Sequence, residues 1–290
     1  MSDKLKGWIL YLALTFIWGS AFVLIKLGLR SFDPLELAAI RVLSAAAVLI
    51  PLSFIGIRNV PKNLWPWLII SGFLGSLLPA FLFGTAQLTI QSGVAGVLSA
   101  FTPIWTVILG IILFKKSIGK WQWIGLAFGF LGSVLLIFQT VSGELDFSQW
   151  QGLLILGATF CYGLNLNIIK YRLSSLPSLQ IATVPMLFTG PVCLAYLLVQ
   201  NLPKRMLDAT SLTWESFGFI VLLGVAATGL AIVLFNKLVK SSTPLFASSI
   251  TYGTSIVAVG FGFLTGETFT IGHLFSILLT IFGIYLIGKK

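Results

Sequence analysis

The sequence predicts an all-α integral membrane protein, with ten transmembrane helices arranged as two inverted five-helix repeats, and three observations carry that prediction. Composition is the first: 57% of the residues are hydrophobic and 9% charged, with a mean hydropathy of +1.02. That is more apolar surface than a soluble chain of 290 residues can bury. Second, the apolar residues fall in continuous runs near the roughly 20 residues that cross a bilayer, without the alternation a transmembrane barrel requires. Third, the chain repeats itself. Thr15-Phe16-Ile17-Trp18-Gly19-Ser20-Ala21-Phe22-Val23-Leu24-Ile25-Lys26 returns without a gap as Thr159-Phe160-Cys161-Tyr162-Gly163-Leu164-Asn165-Leu166-Asn167-Ile168-Ile169-Lys170. The same offset continues through Leu29/Leu173, Ser31/Ser175, Leu35/Leu179 and Ala38/Ala182.

Apolar runs between charges and turn residues place helices at 7–29, 34–56, 64–86, 92–114, 121–139, 149–171, 178–200, 214–236, 244–265 and 271–288. The first begins after Lys4 and Lys6 and carries no small-residue cleavage site, so it reads as a retained helix and not a signal peptide. If the N-terminus is cytoplasmic, the inside segments collect Lys4, Lys6, Arg58, Lys62, Lys115, Lys116, Lys120, Lys170, Arg172, Lys237, Lys240, Lys289 and Lys290. Outside remain Arg30, Lys204 and Arg205. This bias sets both termini inside a cell inner (plasma) membrane, and it accounts for the net charge of +10 without a nucleic-acid partner.

Five spans per half is an odd number, so the first span and its copy, the sixth, run in opposite directions. The halves are 1–140 and 149–290, joined by an outside linker at 141–148 that holds Gly143, Glu144 and Asp146. Inverted repeats of this kind let two halves rock about a central site near the membrane midplane.

The early Trp18-Gly19-Ser20 with Phe22 and Lys26, Pro34 followed by Arg41, Pro103 within the fourth span, and Gly266-Glu267 closing the ninth resemble the EamA branch of the drug/metabolite transporter superfamily. The resemblance covers essentially the whole chain. It implies ten helices, a central cavity lined mainly by helices 1, 3, 4, 6, 8 and 9, and export or exchange of small metabolites. Two departures stand out: Pro103 pairs with Gly253 and Glu267 with Lys116 across the repeat, so the two halves are functionally unequal.

The candidate substrate-binding residues follow from helical spacing. Tyr11, Thr15, Trp18 and Lys26 share one face of the first span, as Tyr162 and Asn165 do in the sixth, with Asn167 turned away. Asn165 stands out because an amide in hydrocarbon needs a partner or water. The fourth span contributes Ser99, Thr102 and Trp105 around Pro103, which removes a backbone bond; the ninth offers Thr251 and Tyr252, and Gln87 stands near the outer mouth. The bland expectation for the serine and threonine hydroxyls is back-bonding within their own helices.

Arg41 cannot face lipid without a substantial penalty. Since the second span is expected at the periphery, Arg41 reads as a structural pin, with Glu36 or outer-end carbonyls as its partner; a carboxylate clamp is the sharper alternative. Gly125, Gly129 and Gly132 read as close-packing positions, and Cys161 and Cys193 as small buried hydrophobes.

No Asp or Glu lies at the middle of any span, so a carboxylate proton relay or cation site lacks its parts. The expectation is a secondary transporter, not an enzyme, moving amino acids or similar amphipathic solutes by alternating access. A nucleotide-sugar or nucleobase/drug-type carrier is the runner-up. A membrane-embedded lipid-modifying enzyme would need a nucleophile and base, a metal cluster or paired carboxylates, and a retinal-type photoreceptor would need a counter-ion for Lys26. Neither cofactor nor metal is expected. The partners are a small-molecule substrate and the lipid bilayer, with the chain reading as a monomer.

Overall fold

The computed structural model describes residues 3–54, 57–86, 98–140, 150–264 and 271–289; within these, side-chain placement is not described for Phe22, Val23, Lys26 and a few others. The described residues are helical, without strands. The helices are α1 (Asp3–Gly28), α2 (Pro34–Ser53), α3 (Lys62–Ala86), α4 (Thr102–Phe114), α5 (Lys120–Thr140), α6 (Gly152–Tyr171) and α7 (Ser178–Val199). After them come α8 (Ser211–Ser241), α9 (Pro244–Ser248 and Ile250–Leu264) and α10 (Ile271–Ile287). Each predicted segment is mostly helical over its described residues, with turns at 100–101, 184–185 and Ser249. Five of them, α2, α3, α6, α7 and α8, are long and apolar enough to cross a membrane, while Leu5–Ala21, Thr102–Phe114 and Ile271–Ile287 are shorter apolar stretches.

One helix was not expected, Leu202–Leu207 between α7 and α8. Asn201 enters it at φ 55, and Pro203 occupies its first turn, where the missing N–H costs nothing. Its Arg205 pairs with Glu36, so Glu36 is not the partner of Arg41 that the sequence suggested. Glu36 also completes a capping box with Asp33, whose Oδ1 accepts from the Leu35 and Glu36 amides at 2.8 and 2.9 Å, which fixes the start of α2.

Polar contacts sort the loops onto two ends of the bundle. At one end, Lys170 at the close of α6 donates to the carbonyls of Val239 and Lys240 at 3.1 and 2.8 Å and also to that of Ser242, capping the C-terminus of α8. Lys116 lies over the Tyr171 ring, Arg172 over Trp67, and Lys289 over Trp121. Trp8 in α1 meets Phe246 edge-on at 5.0 Å. The start of α1, the end of α6 and the end of α10 therefore share one end, and the two copies of the repeated stretch run in opposite directions. Glu36 and Arg205 join the loops at the other end.

The packing respects an exchange of halves: α5 lies against α10, α2 against α7, α1 against α9, and α4 against α6. The α5–α10 contact is backbone on backbone. A Cβ on Gly125 would sit 2.7 Å from the Gly283 carbonyl oxygen, and one on Gly283 would run into the Gly129 backbone. Small residues that let helix backbones touch are the usual means of helix association in lipid, where burial of apolar surface gains nothing. Around the outside, Leu12, Phe16, Ile112, Ile271, Phe275 and Leu278 are exposed, an apolar surface that water would not tolerate but lipid does.

Several helices are irregular near mid-length. α3 and α8 each contain a wide π-type stretch, Phe73–Leu77 and Leu223–Leu230, a distortion that occurs frequently at functional sites. α9 is interrupted at Ser249, and α4 restarts at Thr102 with Pro103 in its first turn. The proline thus begins a helix here, where the sequence suggested a bond lost within one.

Candidate substrate cavity

The irregular stretches surround a cavity of about 250 Å³. Trp18, Ala21 and Ile25 of α1 line it, with Tyr162, Asn165 and Leu166 of α6 opposite. α3 supplies Ser71 through Phe83, α8 supplies Ala227 through Asn236, and Ser99, Thr102, Ser248, Thr251 and Thr254 come from the breaks in α4 and α9. Arg41 and Val42 of α2 and Ile181 through Met186 of α7 also face it. The expectation that α2 stays at the periphery is therefore corrected. The reason lies in Gly224: a Cβ there would stand 2.5 Å from the Arg41 carbonyl oxygen, so the glycine lets α8 ride directly on α2 and brings the Arg41 side chain inward.

Each polar group is held in a definite way. The Trp18 indole donates to the Ala227 carbonyl at 2.8 Å, an acceptor within the π-type stretch of α8, and its ring meets Phe235 edge-on at 4.9 Å. Arg41 Nε donates to Thr228 Oγ1 at 2.7 Å, and Tyr162 lines the same cavity. The Tyr162 ring stacks, tilted by 30°, on Phe83 at 6.3 Å. Ser71 donates to Asn165 Oδ1 at 2.7 Å, and Gly75 leaves the space that the Asn165 amide nitrogen fills. The hydroxyls of Thr102, Ser248, Thr251 and Thr254 bond back to Ser99, Leu245, Ser248 and Thr251 carbonyls of their own helices, as anticipated for such groups.

Of the residues singled out from the sequence, Trp18, Ser99, Thr102, Tyr162, Asn165 and Thr251 line this cavity. The Lys26 side chain and Gln87 lie outside the described residues, as do Glu144, Asp146 and Gly266-Glu267. Tyr11, Thr15, Trp105 and Tyr252 are not among the lining residues. Tyr11 donates to the Ser249 carbonyl at 2.8 Å and packs on Trp8 and Phe246. Thr15 abuts Gly253, and Tyr252 is fully buried against the space left by Gly129.

Trp105 packs on Phe160 at 5.5 Å, with its indole N–H buried and unpartnered. Its helix starts afresh at Thr102, which turns the ring to the α6 side, where Gly163 receives its backbone. An orphaned donor of this kind costs about 1–3 kcal/mol, which offsets the volume lost in a smaller ring. Trp105→Phe is therefore expected to keep both the thermal midpoint and the solute flux of the wild type; a flux collapse in folded protein would place Trp105 in the site after all.

Ser71 and Thr228 carry no mark in the sequence. Each is legible only through its neighbour in space, because a hydroxyl two helices away gives no periodic signal in the chain. Asn167, turned away from the cavity, donates to the carbonyls of Thr106 at 2.9 Å and Gly163 at 2.8 Å, pinning α4 to α6. Cys161 and Cys193 are buried free thiols. No cluster of three His, Cys, Asp or Glu side chains gathers among the described residues.

A helical bundle with an apolar exterior, enclosing a cavity between antiparallel copies of one sequence, is the architecture of a multi-pass membrane protein. The EamA-like transporter family matches residues 5–138 and again 149–289, so the chain belongs to that family. It is 27% identical over 292 residues to the "uncharacterized inner membrane transporter YedA" of Escherichia coli (strain K12), covering 96% of this chain and 91% of that one. To the "uncharacterized transporter YdfC" of Bacillus subtilis (strain 168) it is 26% identical, covering 83% and 78%. A "probable amino-acid metabolite efflux pump" of Escherichia coli (strain K12) is 29% identical over 171 residues, 59% of this chain and 55% of that protein. A solved structure titled "Crystal structure of protein" superposes with a TM-score of 0.71 at 17% identity, covering 98% of this chain and 96% of that one, which speaks to the fold.

Proposed function

We propose that this chain is a secondary transporter that exports or exchanges small amphipathic metabolites, amino acids or similar solutes, by alternating access. Ten spans in two inverted halves, 1–140 and 149–290 with a linker at 141–148, cross the inner membrane with both termini cytoplasmic. The observation that carries the reading is the cavity itself. It sits where α1 meets the π-type stretch of α8 and where α6 meets that of α3, so each wall is built from both halves. A rocking motion of one half against the other would open such a site to alternate sides. Aromatic and aliphatic walls with a handful of polar groups suit a solute with an apolar body and a polar head.

The efflux-pump name of one relative supports an amino-acid-like cargo. The runner-up, a nucleotide-sugar carrier, would call for several cations to hold phosphates, and Arg41 is the cation among the described lining residues. The basic end formed by Lys116, Lys120, Arg172 and Lys289, stacked on aromatic rings, fits the cytoplasmic face by the positive-inside bias. The chain is proposed to act as a monomer, with the solute and the bilayer as its partners. The test is counterflow of a labelled metabolite panel in proteoliposomes of the purified chain. Saturable uptake of amphipathic solutes is expected, and a folded protein that moves none of the panel would overturn the reading.

A further inference from the structure

The cavity has one strong electrostatic feature. Arg41 reaches it from α2, and its Nε is engaged by Thr228 Oγ1 at 2.7 Å. No acceptor for its Nη nitrogens, and no carboxylate paired with it, is found among the described residues, where the ion pair is Arg205 with Glu36. A guanidinium at this depth, uncompensated, is expensive. Its planar fork is held from behind by Thr228, which leaves the outer edge with the two parallel N–H donors that match a carboxylate.

Tyr162 lines the same cavity. No Asp, Glu, Lys or His is found among the described lining residues. An ammonium group entering with the solute would therefore meet no counter-charge there, while Trp18, Phe83 and Phe235 offer apolar and aromatic surface to the rest of it.

We infer that Arg41 anchors a single carboxylate, and that the preferred cargo is an organic monocarboxylate with an apolar or aromatic body, ahead of zwitterions, neutral amides and cations. This rests on the transport function proposed above and, within its amphipathic solutes, sets monocarboxylates ahead of the zwitterionic amino acids named there. A single cation balances one negative charge. Among the described lining residues Arg41 is that cation, so phosphate esters and dicarboxylates fit less well than a monoanion.

The test uses four probes with one aromatic body: 3-phenylpropionate, phenylalanine, 3-phenylpropionamide and phenylalaninamide. Binding is measured by isothermal titration of the purified full-length chain, and movement by counterflow in proteoliposomes. Phenylpropionate is expected to bind at least about tenfold more tightly than the other three, the scale of a charge-assisted hydrogen-bond pair. Arg41→Gln should cost the acid roughly 10- to 100-fold and leave the amide's weak binding unchanged, with Arg41→Lys in between.

Thr228→Val, which removes the support for Nε without touching the charge, should weaken the acid alone by a smaller factor. It also stands as the folded control should Arg41→Gln fail to purify. Equal binding of acid and amide by the wild type, tighter binding of phenylalanine than of phenylpropionate, or an Arg41→Gln protein that still prefers the acid would each overturn the proposal. The two readings fail separately. Selective, Arg41-dependent binding without any flux would sink transport and leave the carboxylate site standing, whereas flux of all four probes alike would sink the carboxylate site and leave transport standing.

Discussion

Gly283→Val is expected to abolish the folded protein or to lower its apparent melting temperature in detergent by roughly 10 °C. The estimate follows from overpacking of about 3 kcal/mol or more at a few degrees per kcal/mol. The reason is geometric. A side chain at 283 has nowhere to go, because its first carbon would run into the backbone of Gly129 and stand 2.8 Å from the Gly125 carbonyl oxygen. A flexible side chain could rotate away, but a helix backbone cannot, so α5 and α10 must part along the contact. Separating them would also uncover Ser133, Ser276 and Thr280, whose polar groups are buried at or near this seam. Thermal unfolding followed by tryptophan fluorescence checks this, with Gly218→Val as the control because a Cβ there meets nothing within 4 Å. Equal stability of the two variants would mean that the α5–α10 contact is looser than described.

Trp18→Ala is expected to lower solute flux by at least about tenfold in protein that still folds, since Trp18 is a half-buried aromatic wall of the cavity and an aromatic anchor is worth a few kcal/mol. Trp18 does two things at once. Its ring forms a wall of the cavity against Phe235, and its indole N–H closes the carbonyl of Ala227 in the π-type stretch of α8. Trp18→Phe separates them, keeping most of the wall and losing the hydrogen bond. An intermediate flux is expected, with the deficit measuring how far the open carbonyl disturbs Thr228 one residue on and, through it, Arg41. Counterflow rates in proteoliposomes with matched protein content decide it. Wild-type flux in Trp18→Ala would remove Trp18 from the site.

The helices were legible because a bilayer imposes a length and an apolar composition that the chain must meet segment by segment. The ends of α2, α6 and α10 fall within a few residues of expectation, since charges and turn residues mark them. The opposed directions of α1 and α6 followed from counting spans between two copies of one motif. Trp18 and Tyr162 were placed by their facing positions in the repeat, and Asn165 by the cost of a buried amide. Trp105, Tyr252, Tyr11 and Thr15 do not line the cavity, for a common reason: helical spacing tells which residues share a face, but not which face is turned to the cavity and which to a neighbouring helix.

The sequence by itself determined that this protein is a doubled, helical membrane protein of a transporter family, because repetition and apolar length are one-dimensional properties. Tertiary structure alone decided that Arg41 belongs to the cavity. That outcome depends on a glycine far away in the chain, Gly224, which lets α8 settle on the backbone of α2, and on Thr228, which then meets the guanidinium. Contacts of this kind are set by how closely two backbones approach, and close approach is a property of the pair of helices, written in neither of them alone.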